Sequence, residues 1–188
     1  MRAAILAVGS ELLGEDRAET NSLWLARLLA DHGVELVRKV AVADQEEAIA
    51  AEIARLAASH DLVLVSGGLG PTADDVTREA VAKGLGRPLA RDARLEQELR
   101  ARYASLGRRM PEINRKQADL IGGGVALANP QGTAPGQRLE AGRATLFLLP
   151  GVPHELVAES ERYVAPWLAE LTGGEARERV TVRTAGLP

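Results

Sequence analysis

Apolar residues follow two rhythms along this chain. The first is a short, near-continuous run: AAILAV at 3–8, DLVLV at 61–65, GVALAN at 124–129 and ATLFLLPG at 144–151. Such runs, bounded by glycine, proline or aspartate, read as strands, and unbroken hydrophobicity points to burial on both faces. VELVRKVAV at 34–42 alternates enough to be a further strand. The second rhythm repeats every three or four positions. Leu23, Leu25, Leu28 and Leu29 predict a helix over TNSLWLARLLADHG, capped by Thr20 or Asn21 and ended by Gly33. Ile49, Ile53 and Leu56 make one apolar face of QEEAIAAEIARLAAS, with Asp44 as the expected cap. Helices are also expected near 75–84 and 92–106, and a short one from Pro111 through PEINRKQA. PHELVAESERYVAPWLAEL reads as a helix kinked or broken at Pro166. ERVTVRTAGLP, the last stretch, reads as the first strand of something else, so the expected division is one domain over 1–172 and the start of a following segment over 173–188.

Strands alternating with helices predict a three-layer α/β/α sandwich around a mostly parallel sheet with right-handed crossovers. In such sheets ligands bind beyond the carboxyl ends of the strands. AVGSELLG, SGGLGPTADDVT and LLPGVPHE each follow a strand, so three loops rich in glycine or proline and carrying acids converge on one edge.

Composition narrows the class. The chain has 188 residues, 46% of them apolar, and a net charge of −3. That suffices for one sizeable core and suggests no nucleic-acid or membrane surface. No apolar run approaches a membrane span, and MRAAILAVGSELLGE lacks the pattern of a secretory leader. The chain has no cysteine, which removes disulfides, thiolate metal sites and a cysteine nucleophile; a cytoplasmic compartment is expected. Among 23 basic residues only Lys39, Lys83 and Lys116 are lysines, which draws some attention to the lysine in NRKQ.

SGGLGPTADDVT, residues 66–77, carries the candidate chemistry. A glycine-rich turn between strand and helix can aim backbone N–H groups at an anion, with the helix N-terminus behind them. The turn lacks the GK[ST] ending of a P-loop, and VGSELLG is not a dinucleotide fingerprint. Asp74 and Asp75 admit two readings. TADD resembles a capping box, with Thr72 as cap and Asp75 three residues on. Alternatively, carboxylates beside a phosphate require a cation between them, and a divalent ion such as Mg²⁺ takes one or two carboxylates plus phosphate oxygens. NRKQ (114–117) is either a solvated helix face or a polar cluster; NPQGTAPG (129–136) is either a tight connection or a rigid loop offering backbone groups to a ligand. Glu11 and Glu155 face solvent or cap the helices that follow. His32, His60 and His154 lack ligand spacing and read as surface residues, and Ser66 lacks a nucleophile-elbow pattern.

AVGSELLGE, TNSLWLARLL, VADQEEAI, SGGLGPTADDVTREAVA, MPEINRKQA, NPQGTAPG and LLPGVPHE, in this order, resemble the N-terminal domain of CinA-type (competence/damage-inducible) proteins over roughly residues 1–170. The resemblance implies a MogA/MoaB-like molybdopterin-binding fold. It also implies a metal-dependent ADP-ribose pyrophosphatase activity: hydrolysis to AMP and ribose 5-phosphate with a divalent cation, Mg²⁺ or another, as cofactor. By position, Gly67, Gly68, Gly70, Pro71 and Thr72 match the phosphate-side loop, and Asp75 and Thr77 match the Asp and Thr of the pterin binders. Asp74 stands where pterin binders have arginine. Asp44, Asn114, Gln117, Gly132, Thr133, Ala134, Pro135 and Gly136 match further binding positions. Asp75, Asp74 and Glu11 are the implied metal ligands, and Lys116 joins Asp75 and Asp74 as a catalytic candidate. The implied partners are a nucleotide or pterin small molecule and further copies of the chain, as dimer or trimer. A pterin- or nucleotide-binding module without turnover, or a non-catalytic oligomerisation domain, are the alternatives. The 3% aromatic content leaves few residues to stack a base. CinA-type proteins usually continue to a nicotinamide-nucleotide amidohydrolase domain, an activity not expected of this stretch.

Overall fold

A computed structural model describes residues 1–14 and 19–173. The final expected strand, 178–188, lies outside the described residues.

Four parallel strands make the centre: β1 (Arg2–Val8), β2 (Glu35–Val42), β3 (Leu62–Ser66) and β8 (Ala144–Leu149). β3 and β8 are buried at every position, as their unbroken apolar runs require. β7 (Gly136–Ala141) and β6 (Val125–Leu127) extend the sheet in antiparallel pairings, giving the order β2-β1-β3-β8-β7-β6. The sheet is therefore mostly parallel. β4 (Leu89–Arg91) and β5 (Asp119–Ile121) form a separate antiparallel pair.

Alternation along each strand feeds two cores. Ala4, Leu6, Val63, Val65, Leu146 and Leu148 pack with Ile49, Ile53 and Leu56 of α2 (Glu46–Ser59) and Val81 of α3 (Thr77–Gly84). Ala3, Ile5, Leu62, Leu64, Phe147 and Leu149 face the other way, onto Leu25, Leu28 and Leu29 of α1 (Asn21–Asp31) and onto Leu156 and Leu168. This second core includes the edge-to-face contact of Phe147 with Trp167, centroids 5.4 Å apart. α4 (Ala93–Ser105) and a 3-10 helix at Glu112–Ala118 close a third cluster around Leu99, Met110 and Ala118. The result is helix, sheet, helix.

Some details differ from expectation. β4, β5 and β7 are short strands with charged or glycine positions and no apolar run, so periodicity passes over them. The last helical stretch breaks before Pro166: α5 (Pro153–Glu159) runs through a π turn at Ser160–Val164 into α6 (Ala165–Thr172). Proline has no N–H to return to the preceding turn, and one widened turn absorbs the fault. His60 is buried, not superficial; its Nδ1 lies 3.0 Å from the Leu56 carbonyl at the end of α2.

β1 has β2 on one side and β3 on the other, reached by helices on opposite faces. The connections diverge there, leaving a crevice at the carboxyl ends of β1 and β3.

Candidate functional site

A cavity of about 620 Å³ opens at that crevice. Gly9 and Glu11 reach it from β1, Asp44 from β2, Gly67–Pro71 with Asp74 and Asp75 from β3, and Pro150–Pro153 with Glu155 from β8. Gln117, Thr133 and Ala134 complete the wall. The three acidic loops therefore do converge.

The glycine turn is shaped from below by the start of α3. Thr77 Oγ1 donates to the Gly67 carbonyl at 2.8 Å, and Thr77 N–H to the Gly68 carbonyl at 3.2 Å. Arg78 Nη1 donates to the Leu69 carbonyl at 2.8 Å. Three successive carbonyls thus turn toward α3. In a trans peptide the N–H points opposite to its carbonyl, so the N–H groups of Gly68, Leu69 and Gly70 turn away from α3. Gly70 N–H meets Asp75 Oδ1 at 2.9 Å. Gly68 and Leu69 N–H find no acceptor among the described residues, and both residues edge the cavity. Two adjacent free N–H groups near a helix N-terminus form a small anion nest. Gly67 and Gly68 have φ of 98° and 66°, and a Cβ on Gly68 would collide with Thr77 Oγ1, so the turn requires glycine there.

Asp75 corrects the capping expectation. α3 begins at Thr77, and Thr72 is not its cap. The Asp75 carboxylate instead latches its own loop: besides Gly70 it accepts from Thr72 N–H at 2.9 Å and Thr72 Oγ1 at 2.5 Å. Three donors leave about one of the four lone-pair positions of the carboxylate open. Asp44 likewise does not cap α2, whose first flanking residue is Gln45. Its carboxylate accepts from Ser10 N–H at 2.7 Å, tying the β2 loop to the β1 loop.

The other sequence candidates separate into groups. Asp74 is exposed at the cavity rim. Lys116 does not line the cavity; its Nζ donates to the Asp75 carbonyl at 2.6 Å and pairs with Glu79 at 3.1 Å, bracing the loop from behind. Gln117 lines the cavity, whereas Asn114 is buried behind it, donating to Tyr103 Oη and Gln117 Oε1. Thr72 and Thr77 shape the loop without lining the cavity. Thr133 and Ala134 line it; Gly132 and Pro135 face a neighbouring groove, and Gly136 lies against Glu159.

Three positions that shape or underlie the cavity walls were not anticipated. Asn129 organises its loop, accepting at Oδ1 from Gln131 and Gly132 N–H and donating from Nδ2 to the Ala134 carbonyl and Glu155 Oε2. The Asn-Pro pair was its available signal. Arg78 is fully buried, with a second bond from Nη2 to the Pro135 carbonyl at 3.0 Å and no partner for Nε. Desolvation lowers its pKa to about 10. Glu159 is also fully buried, with no side-chain partner among the described residues and only the Gly136 backbone against its carboxylate. Burial first, and the Glu155 carboxylate second, push its pKa up to about 8. Neither residue carries a sequence signal, because each sits at an ordinary charged helix position.

Five carboxylates line the cavity, Glu11, Asp44, Asp74, Asp75 and Glu155, and no lysine or arginine among the described residues does. No group of three acids or histidines among the described residues is arranged to hold a metal ion by itself. The donor set therefore does not fit an all-protein metal cage. It fits a hard cation held by one or two carboxylates and completed by ligand oxygens and water, as Mg²⁺ prefers.

The family described as a probable molybdopterin binding domain matches residues 4–170. A CinA-like protein of Solibacter usitatus is 43% identical over 187 residues, spanning 100% of this chain and 45% of that protein. A CinA-like protein of Deinococcus radiodurans is 41% identical, over 98% of this chain and 46% of its own length. The chain thus spans less than half the length of these curated relatives. Among solved structures, CinA of Thermoplasma acidophilum superposes with a TM-score of 0.82 at 31% identity, covering 88% of this chain and 98% of that one. MoaB of Thermus thermophilus shares the fold, with a TM-score of 0.57 at 22% identity over 94% of this chain and 99% of that one. The chain belongs to the probable molybdopterin binding domain family, in the form carried by CinA-like proteins.

Proposed function

We propose that this domain hydrolyses the diphosphate bond of ADP-ribose or a related nucleotide in the presence of a divalent cation, giving AMP and ribose 5-phosphate. The carrying observation is electrostatic. Two free N–H groups offer an anion seat, yet Asp44, Asp74, Asp75 and Glu155 surround it with no described cation in the lining. A phosphate entering alone is repelled; a phosphate entering with a divalent ion is not.

In this reading Gly68 and Leu69 N–H hold a non-bridging phosphate oxygen. Asp74, with the remaining lone pair of Asp75, holds the cation. The ion, when bound, supplies charge neutralisation at phosphorus and acidifies a water. Water adds to one phosphorus, the bridging P–O bond breaks, and the displaced phosphate leaves as the second monoester. Lys116 acts through the loop, holding the Asp75 backbone rather than touching substrate. Self-association, implied by the resemblance, belongs to the same proposal and is read by sedimentation.

A pterin-binding reading draws on the family description, but among the described residues no aromatic side chain lines the cavity to stack a ring. Incubating the domain with ADP-ribose, FAD and dinucleoside diphosphates, with and without Mg²⁺, Mn²⁺ or Co²⁺, tests the proposal. Metal-dependent appearance of AMP supports it. Tight binding by calorimetry with no product over hours would replace it with a binding module.

A further inference from the structure

We propose that Arg78 is a positioning residue that straps the two walls of the cavity together and thereby sets the facing of the Asp75 carboxylate. The inference rests on the site reading above, but its geometry is independent of the substrate. The guanidinium reaches the Leu69 carbonyl in the glycine loop at 2.8 Å and the Pro135 carbonyl in the NPQGTAPG loop at 3.0 Å. These loops lie more than sixty positions apart in sequence and supply separate stretches of the lining, Gly67–Pro71 from one and Thr133 and Ala134 from the other. One planar fork bonding both walls fixes their separation as a flexible ammonium cannot.

The strap also acts through peptide planes. The Leu69 carbonyl and the Gly70 N–H belong to one peptide. Arg78 holds its oxygen from the buried side, and Asp75 Oδ1 holds its N–H at 2.9 Å from the other. Turning that peptide would strip Asp75 Oδ1 of its donor and leave the carboxylate held at Oδ2 alone, by Thr72. The Pro135 carbonyl similarly shares a peptide with Gly136, whose Cα lies against Glu159. Burying a charged side chain is unfavourable unless it is hydrogen-bonded, and the two bonds this guanidinium makes both go to carbonyls of the cavity walls, its Nε having no partner. A leucine would fill the same space in a helix–sheet interface that needed only packing.

Native-state hydrogen exchange on wild type, Arg78→Lys and Arg78→Gln tests the strap. Gly70 and Thr72 N–H, held by Asp75, report one wall; Gln131 and Gly132 N–H, held by Asn129, report the other. Exchange at all four should accelerate about tenfold to a hundredfold in the variants, less in Arg78→Lys than in Arg78→Gln. Leu64 and Phe147 in the sheet should follow only the change in global stability. Acceleration at one wall alone, or at all amides in proportion to global stability, overturns the proposal. If neither variant folds, a denaturant series on wild type decides: the two walls should open on one isotherm, and separate isotherms overturn it. In a folded variant that still cleaves ADP-ribose with Mg²⁺, KM should rise about tenfold while kcat falls less. The exchange measurement needs no substrate, so failure of the strap and failure of the hydrolase reading register separately.

Discussion

Two recesses of nearly equal volume, about 620 and 590 Å³, meet at Thr133 and differ in the signs of the described charges that line them. The second, between α4 and β6, carries both signs, and its charged groups are bonded within the protein. Asp92 caps α4 through the Leu95 N–H, Arg94 pairs with Glu98 at 2.9 Å, and Arg102 donates to the Asn129 and Pro130 carbonyls. Leu95, Leu99, Leu120 and Tyr163 fill the spaces between. The first gathers acids around exposed backbone donors, with no described basic side chain in its lining. Volume does not separate the two. The sign of the lining does: among the described residues the first holds acids and no base, and that points to the crevice at the ends of β1 and β3.

The sharpest way to break this contrast is to separate the two jobs of Asp75. Thr72→Val removes one donor from the latch and keeps the carboxylate; Asp75→Asn removes the charge. If the carboxylate helps to hold a divalent ion, Asp75→Asn should lower metal-dependent cleavage of ADP-ribose about 10²–10³-fold, roughly 3–4 kcal/mol of transition-state stabilisation. Thr72→Val should cost less than about tenfold. Turnover against Mg²⁺ concentration for both variants is the measurement. Equal losses would reduce Asp75 to a loop latch.

Gly68→Ala attacks the anion nest itself. The new Cβ meets Thr77 Oγ1 at a positive φ, so the turn must shift. Strain of about 1–3 kcal/mol should lower the melting temperature by roughly 2–12 °C. KM for the nucleotide should rise about tenfold as the two free N–H groups lose their aim. A lowered melting temperature with unchanged KM would remove the nest from the site.

The same contrast explains what the sequence made legible. β1, β3 and β8 announced themselves because burial on both faces demands unbroken apolar runs. The convergence of the three acidic loops followed from the parallel topology, so most of the cavity lining could be placed. β4, β5 and β7 could not, since pairing with a neighbour rather than their own pattern makes them strands. Roles were less visible than positions. Asp75 and Asp44 line the cavity and Lys116 sits behind it, and the partners of all three include groups that local sequence does not identify. Arg78 and Glu159 were invisible for a physical reason: a charged residue on a helix is ordinarily solvated, and only tertiary packing buries these two.

Glu159 lies beneath the loop that divides the two recesses, and its titration reports on that buried layer. Its folded pKa, about 8, is above the value of 4.5 for an unburied glutamic acid. Below the lower value both folded and unfolded states are protonated, and the contribution is fully present. As pH rises toward 8 the unfolded chain ionises first, so stability is progressively lost, until the folded state ionises too. Glu159→Gln cannot ionise. Its melting temperature should match wild type within about 1 °C at pH 5 and exceed it by about 3–8 °C at pH 9. Parallel curves at pH 5, 7 and 9 would mean that the layer is wetter than the structure describes.

The smallest expected effect lies in the groove between α4 and β6, and for that reason it is the strictest control. Arg94 and Glu98 face each other one turn apart on α4, with side chains 88% and 54% exposed. An exposed pair at this spacing contributes about 0.3–0.5 kcal/mol, so Arg94→Ala should move the melting temperature by no more than about 2 °C. Alanine also raises helix propensity slightly, which offsets part of the loss. Nothing in the proposed chemistry passes through this pair, so metal-dependent turnover and its Mg²⁺ requirement should stay within about twofold of wild type, the scale of a few tenths of a kcal/mol. A larger fall in kcat/KM, in a variant that melts with wild type, would place part of the nucleotide in the groove and join the two recesses into one site across Thr133.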